Sequence, residues 1–88
     1  MRISIITPTF NSEETIKKNI LSIQSQNFHD YEQIIIDKKS TDKTLKIIKE
    51  FGNDKIKILS EADNGIYDAI NKGINLARGK YILILNSD

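Results

Sequence analysis

Four isoleucine-rich runs of strand length punctuate the chain: Ile3-Ser4-Ile5-Ile6, Ile34-Ile35-Ile36, Ile56-Lys57-Ile58-Leu59 and Tyr81-Ile82-Leu83-Ile84-Leu85. The first, second and fourth are nearly continuous in apolar residues, as strands covered on both faces are. The third alternates, which places it nearer a sheet edge. Three stretches of helical periodicity separate the runs. The order β-α-β-α-β-α-β predicts an α/β fold, with a parallel sheet, right-handed crossovers and helices on both faces.

Each helical stretch carries its own signals. Ile16, Ile20 and Ile23 fall at i, i+4 and i+7, with Asn11 as N-cap and Glu14 completing a capping box. Leu45, Ile48 and Phe51 share a face that Gly52-Asn53 terminates. Ile66, Ala69, Ile70, Gly73 and Ala77 line a third stripe, closed by Arg78-Gly79. Small Gly73 and Ala77 would let that helix sit close to the sheet.

Composition narrows the partners. The chain is 39% hydrophobic and 28% charged, with 13 basic and 12 acidic side chains and a net charge of +1. That balance gives no electrostatic footprint for nucleic acid or a membrane surface. Without cysteine there is no disulfide scaffold, thiolate metal site or cysteine nucleophile. The longest apolar run, Tyr81 to Leu85, is far short of the ~20 residues that span a bilayer, and the start carries no signal-peptide pattern. A cytoplasmic location is the expectation. Eighty-eight residues are little more than half of a typical domain of ~150. Because the sequence stops just after an apolar run, residues 1–88 are expected to be one incomplete domain, the front part of a longer protein.

In an open parallel sheet, ligands bind beyond the carboxyl ends of the strands. The segments there are Thr7-Pro8-Thr9-Phe10-Asn11, Asp37-Lys38-Lys39-Ser40-Thr41-Asp42, Ser60-Glu61-Ala62-Asp63-Asn64-Gly65 and Asn86-Ser87-Asp88. All four are polar, whereas Gln26 to Asp30 and Gly52-Asn53-Asp54 at the other edge read as plain turns. Taken singly, these segments have ordinary readings: Ser40-Thr41-Asp42 is a helix N-cap and Asp63-Asn64-Gly65 a turn. Together they form an acidic rim that suits a ligand whose negative charge is carried by a divalent cation. Asp37, directly after three isoleucines, is placed to accept ribose or base hydrogen bonds. Asn86 and Asp88 have the i, i+2 spacing by which two side chains face one hard cation, which could bridge a diphosphate. The helix starting near Ile66 points its N-terminus at the same rim. The first turn lacks the glycines of a dinucleotide site, and no P-loop is present. His29 has no cysteine partner and lies at the wrong edge for a triad or zinc site.

These segments resemble a known family. Ile5-Ile6-Thr7-Pro8-Thr9-Phe10-Asn11 resembles the opening strand and loop of the family 2 inverting glycosyltransferases with the GT-A fold. Ser22 to Gln26 and Tyr31 to Asp37 are similar to the next stretch, and Lys39-Ser40-Thr41-Asp42-Lys43-Thr44 to the strand-end motif. Asp63-Asn64-Gly65-Ile66-Tyr67-Asp68-Ala69-Ile70-Asn71-Lys72-Gly73 resembles the branch that builds bacterial surface polysaccharides of the colanic-acid type. Tyr81 to Asp88 resembles the strand leading into a metal-binding Asp-x-Asp. The resemblance runs along the whole chain in order.

It implies the Rossmann-like, nucleotide-binding half of a GT-A domain and a nucleotide-diphosphate-sugar donor. Thr7, Pro8, Thr9, Asn11 and Asp37 would hold the nucleoside, and Asp68 and Asn71 would face the sugar-diphosphate. Asp88, with Asn86, would bind Mg or Mn. The acceptor would be a saccharide or lipid-linked sugar, met in the cytoplasm or at the cytoplasmic face of the membrane. The catalytic base would lie beyond Asp88, so these residues alone are expected to be inactive. Three positions depart from the pattern. The usual glycine after the strand-end Asp is Lys38, and another common glycine is Lys43; a positive φ at 38 would cost lysine about 1 kcal/mol. Asn86 stands where the family has an acid, and is a weaker ligand for a hard cation. Two rivals remain: a non-catalytic nucleotide-binding or self-associating module, and a nucleotidyltransferase, whose Gly-rich first loop is absent.

Overall fold

Alternate residues of the Ile34-Ile35-Ile36 run point to opposite faces of a sheet, and this splits the core in two. In the computed structural model, which describes residues 1–87, Ile34 and Ile36 pack with Ile6 and Ala69 on one side. Ile35 packs with Ile16, Ile20 and Ile48 on the other. The elements in chain order are β1 (Ile3–Thr9), α1 (Ile16–Gln24), β2 (Tyr31–Asp37), α2 (Thr44–Phe51), β3 (Ile56–Ser60), α3 (Ile66–Leu76) and β4 (Tyr81–Ile84). All pairings are parallel and the sheet order is β3-β2-β1-β4. The chain steps outward from β1 to β3, then returns across β1 to lay down β4. That reversal puts α1 and α2 on one face and α3 on the other, as right-handed crossovers require.

The sheet and the helix order are as the sequence predicts, and the alternating third run is an edge strand. The fourth run differs. β4 is the other edge, and its four residues are 44–62% exposed rather than covered on both faces.

Helix termini also depart from the local signals. Helix α1 starts at Ile16 with no side-chain cap, and its first turn is anchored by the Ile16 amide donating to Ser12 O at 2.9 Å. Asn11 is not its N-cap. In α3 only Ala69 and Gly73 are fully buried; Ile66 is half exposed, and the helix ends at Leu76. Gly73 is needed for close approach: a Cβ there would stand 2.5 Å from Ile6 Cγ2. α3 therefore sits directly on β1.

Candidate functional site

The chain reverses direction between β1 and β4, so the crevice beyond their carboxyl ends is where this topology binds ligands. Two open grooves lie there, either side of the Pro8–Asn11 turn. The larger, about 610 Å³, is lined by Phe10, Asn11, Ser12, Glu14, Asn86 and Ser87 among others. The smaller, about 230 Å³, lies against α3 and is walled by Pro8, Thr9, Phe10, Lys38, Asp63 and Gly65. Ser12 Oγ and Ser87 Oγ are 3.0 Å apart, closing the larger groove between the two strand ends.

Asp37 is fully buried at the end of β2. Oδ1 accepts from Thr9 Oγ1 at 2.7 Å and from Ser40 Oγ at 2.5 Å. Oδ2 accepts from the Ser40 amide at 2.8 Å and Ser60 Oγ at 2.9 Å. Burial pushes this carboxyl up, and the donors from Ser40, Thr9 and Ser60 outweigh it, leaving it below the usual carboxylate range. Asp37 thus gathers the ends of β1, β2 and β3 from behind the rim. Thr7 is likewise buried, accepting from Gln33 Nε2 at 3.0 Å.

Asn11 is exposed and left-handed (φ 47°), a conformation asparagine tolerates better than most residues. Its amide donates to Ser40 Oγ at 2.9 Å, and its Oδ1 accepts from the Thr41 amide at 2.9 Å. It therefore joins the β1 turn to the β2 turn. The starts of α1 and α2 are locked together beside it. Ser12 N donates to Thr44 Oγ1 at 2.7 Å, Glu13 N to Asp42 Oδ2 and Lys43 N to Glu13 Oε2, both at 3.2 Å. Asp42 also accepts from the Thr44 amide at 2.9 Å, but the N-cap of α2 is Lys43 with no side-chain cap, so Ser40-Thr41-Asp42 is the turn before the helix and not its N-cap. Burial works to raise the Asp42 carboxyl, and the Thr44 donors prevail and lower it.

Lys38 does not carry a positive φ; its neighbour Lys39 does, at 48°. The left-handed position of the turn is one residue later than the place where the family pattern has glycine. Lys38 reaches over the smaller groove, with Nζ 5.6 Å from the Phe10 ring centre and 4.0 Å from Asp63 Oδ1.

The rim thus collects Pro8, Thr9, Asn11 and Asn86. Asp68 and Asn71 line neither groove. Asp68 turns back on its own helix start, accepting from the Asn64 amide at 2.9 Å, and Asn71 is exposed a turn further on. Sequence reasoning passed over Phe10 and Ser12 as groove residues. A large apolar side chain inside an otherwise polar turn was the available signal for Phe10, which is 57% exposed. Nothing local marks Ser12, whose partner lies 75 positions away.

Asp88 lies outside the described residues. Among those described, no three His, Cys, Asp or Glu side chains converge on a common point. Asn86 stands at the groove with one neutral amide, and its backbone oxygen accepts from Asn19 Nδ2 at 3.0 Å. A single amide is a poor match for a hard cation, so these residues do not by themselves form a divalent-ion site.

A parallel sheet of this order with a polar crevice at its reversal is an α/β unit of the GT-A type. The family model for glycosyl transferase family 2 matches residues 4–88, and the chain belongs to that family. A PGL/p-HBAD biosynthesis glycosyltransferase of Mycobacterium bovis is 38% identical, the match covering 97% of this chain and 34% of the relative. An Escherichia coli UDP-Glc:α-D-GlcNAc-diphosphoundecaprenol β-1,3-glucosyltransferase is 36% identical, over 98% of this chain and 34% of the relative. The chain spans about a third of the length of these curated relatives.

Among solved structures, TarS 1-349 of S. aureus in complex with UDP-GlcNAc superposes with a TM-score of 0.93 and 31% identity, over 100% of this chain and 27% of that one. Glucosyl-3-phosphoglycerate synthase of Mycobacterium tuberculosis, in complex with Mn2+, UDP and glucosyl-3-phosphoglycerate, gives a TM-score of 0.80 at 25% identity. That match covers 99% of this chain and 33% of the other.

Proposed function

We propose that the whole protein transfers a sugar, with inversion, from a nucleotide-diphosphate donor to a saccharide or lipid-linked acceptor in bacterial surface-polysaccharide synthesis. The observation that carries this reading is the crevice at the β1/β4 reversal, in a family 2 chain that is similar to the UDP-GlcNAc-bound TarS structure. Pro8, Thr9 and Asn11 would meet the nucleoside directly. Thr7 and Asp37 would act from behind, holding the turns that shape its site. Asp68 and Asn71 would serve the sugar-diphosphate end, which requires that end to reach beyond both grooves to α3.

In the proposed reaction an acceptor hydroxyl attacks the anomeric carbon from the face opposite the diphosphate. The C–O bond to the diphosphate breaks and its electron pair leaves with the nucleoside diphosphate. The hydroxyl proton passes to a carboxylate base outside these 88 residues, so the isolated chain is expected to bind without turning over. Mg or Mn, held with the help of Asp88 and Asn86, would neutralise the departing diphosphate. A lipid-linked acceptor, like the one in the E. coli relative's name, would place the protein in the cytoplasm or at the inner face of the membrane.

The test is titration calorimetry of the full-length protein with UDP, GDP and dTDP, each with Mn2+. Saturable binding of one of them is the expected result. Failure to bind any would sink the proposal. A second reading, a self-associating module without catalysis, is favoured by one observation: the exposed apolar edge at β4.

A further inference from the structure

The connection from β3 to α3, residues 61–65, takes few of its hydrogen bonds from the sheet. The Glu61 amide donates to Asp37 O at 2.9 Å. Beyond that point the Gly65 amide donates to Asp63 Oδ1 at 2.9 Å within the loop, and Lys38 Nζ stands 4.0 Å from the same oxygen. Two side chains one turn apart on α3 also reach back to the loop. Asp68 Oδ2 accepts from the Asn64 amide at 2.9 Å. Lys72 Nζ donates to Ala62 O at 2.8 Å and lies 3.0 Å from Glu61 Oε1 and 3.5 Å from Asp68 Oδ2. An ammonium group has three protons, and here it has three oxygens around it. The loop then enters α3 through Gly65 at φ 115°, where a Cβ would meet nothing within 4 Å. Glycine is needed there for its backbone conformation, not for space.

We propose that Lys72 is a positioning residue: it fixes the β3–α3 loop in advance as the wall that Asp63 and Gly65 give to the smaller groove. Lys72 and its three partners do not line that groove, so its effect travels through the loop backbone. Asp68 shares the role, since its carboxylate is the second anchor and is itself held by Lys72. This rests on the donor-site reading above, because the groove matters only if a ligand enters it.

The test uses the full-length protein with Lys72→Met, Lys72→Arg and, as a control, Lys46→Met on the exposed face of α2. Calorimetry is run with UDP, GDP and dTDP plus Mn2+, and amide hydrogen exchange is followed without nucleotide. In K72M, nucleotide affinity should fall about tenfold, equivalent to re-ordering the backbone of one residue on binding. Exchange at Asn64 and Gly65 should accelerate while the β1 and β2 amides keep their protection. K72R, which retains charge and donors, should recover part of the affinity, and K46M should match the parent. Unchanged exchange at Asn64 and Gly65 in K72M overturns the proposal, whatever the nucleotide result. So does loss of protection throughout the sheet, since that would make Lys72 a general stability residue. If the parent binds no nucleotide, the donor-site reading fails, and the exchange data still decide whether Lys72 holds the loop.

Discussion

Lys57 Nζ stands 2.8 Å from Glu32 Oε1, and the carboxylate it meets is buried inside the sheet. The other oxygen of Glu32 accepts from Ser4 Oγ at 2.6 Å and from the Arg78 amide at 2.7 Å. Ser4 Oγ in turn accepts from the Gly79 amide at 2.8 Å. One carboxylate therefore ties β1, β2 and β3 to the connection that delivers β4. Asp37 does the same for strand ends at the opposite edge of the sheet. The two acids bracket the sheet, and only Asp37 adjoins the grooves.

Glu32 makes stability depend on acid. Burial alone would raise its carboxyl, but Lys57, Ser4 and the Arg78 amide outweigh that and lower it from 4.5 to about 2. The folded pKa lies below the unfolded one, so the stabilisation is complete above the unfolded value and drains away as pH falls from 4.5 towards 2. A shift of that size corresponds to on the order of 3 kcal/mol. Glu32→Gln should lower stability at neutral pH and flatten its decline across that window. Urea titrations at a series of pH values check this; an unaltered slope would assign the acid sensitivity to other carboxylates.

Lys39, not Lys38, carries the left-handed conformation in the β2–α2 turn. Lys39→Gly should therefore stabilise the chain by about 1 kcal/mol, relieving the Cβ clash with the carbonyl. Lys38→Gly should give no gain and cost up to about 1 kcal/mol through unfolded-state entropy. Chemical denaturation midpoints of the two variants separate the positions, and a gain at 38 would refute the assignment.

Asn11 combines strain with a bond, and two substitutions part them. Asn11→Gly loses the acceptor for the Thr41 amide while easing φ, and should cost about 1 kcal/mol. Asn11→Ala loses the acceptor and meets the left-handed penalty, costing about 2 kcal/mol. Equal stabilities for the two variants would mean that the turn rebuilds without positive φ.

The contact between Gly73 and Ile6 offers a coupled test. Gly73→Ala forces a methyl to within 2.5 Å of Ile6 Cγ2 and should cost about 1–3 kcal/mol. Ile6→Ala alone empties a fully buried site and should cost about 2–5 kcal/mol. The double variant should be more stable than the sum of the two losses, because the new methyl fills part of the space vacated. Strict additivity would place the α3–β1 contact elsewhere.

What the sequence revealed follows the range of the interaction involved. Element order and sheet class were legible, because apolar periodicity is local and right-handed crossovers leave few topologies. The rim was legible as a set of strand-end loops, because each loop directly follows its own strand in sequence. Asn11 misread as an N-cap for the opposite reason: its partners Ser40 and Thr41 lie about thirty positions along, and they compete for the same side chain. Glu32 gave no local sign of burial, since Ser4, Lys57 and Arg78 reach it only after three strands have paired. β4 misled because an apolar run looks alike whether it meets helices or solvent.

That solvent-facing strand sets the last expectation. Among the described residues the sheet ends in β3 on one side and β4 on the other, and the two differ in protection. β3 carries Lys57, half exposed even while paired with Glu32, and a charged side chain in an edge strand discourages pairing with another chain. β4 offers Tyr81, Ile82, Leu83 and Ile84 with no charge among them, each more than 40% exposed. The 88-residue chain should therefore self-associate through β4 as concentration rises. Leu83→Lys places a charge in the middle of that strand and should restore the monomer while leaving the buried core untouched. Light scattering over a concentration series reads both outcomes, and a parent chain that stays monomeric throughout would remove the support for β4 as a self-association surface.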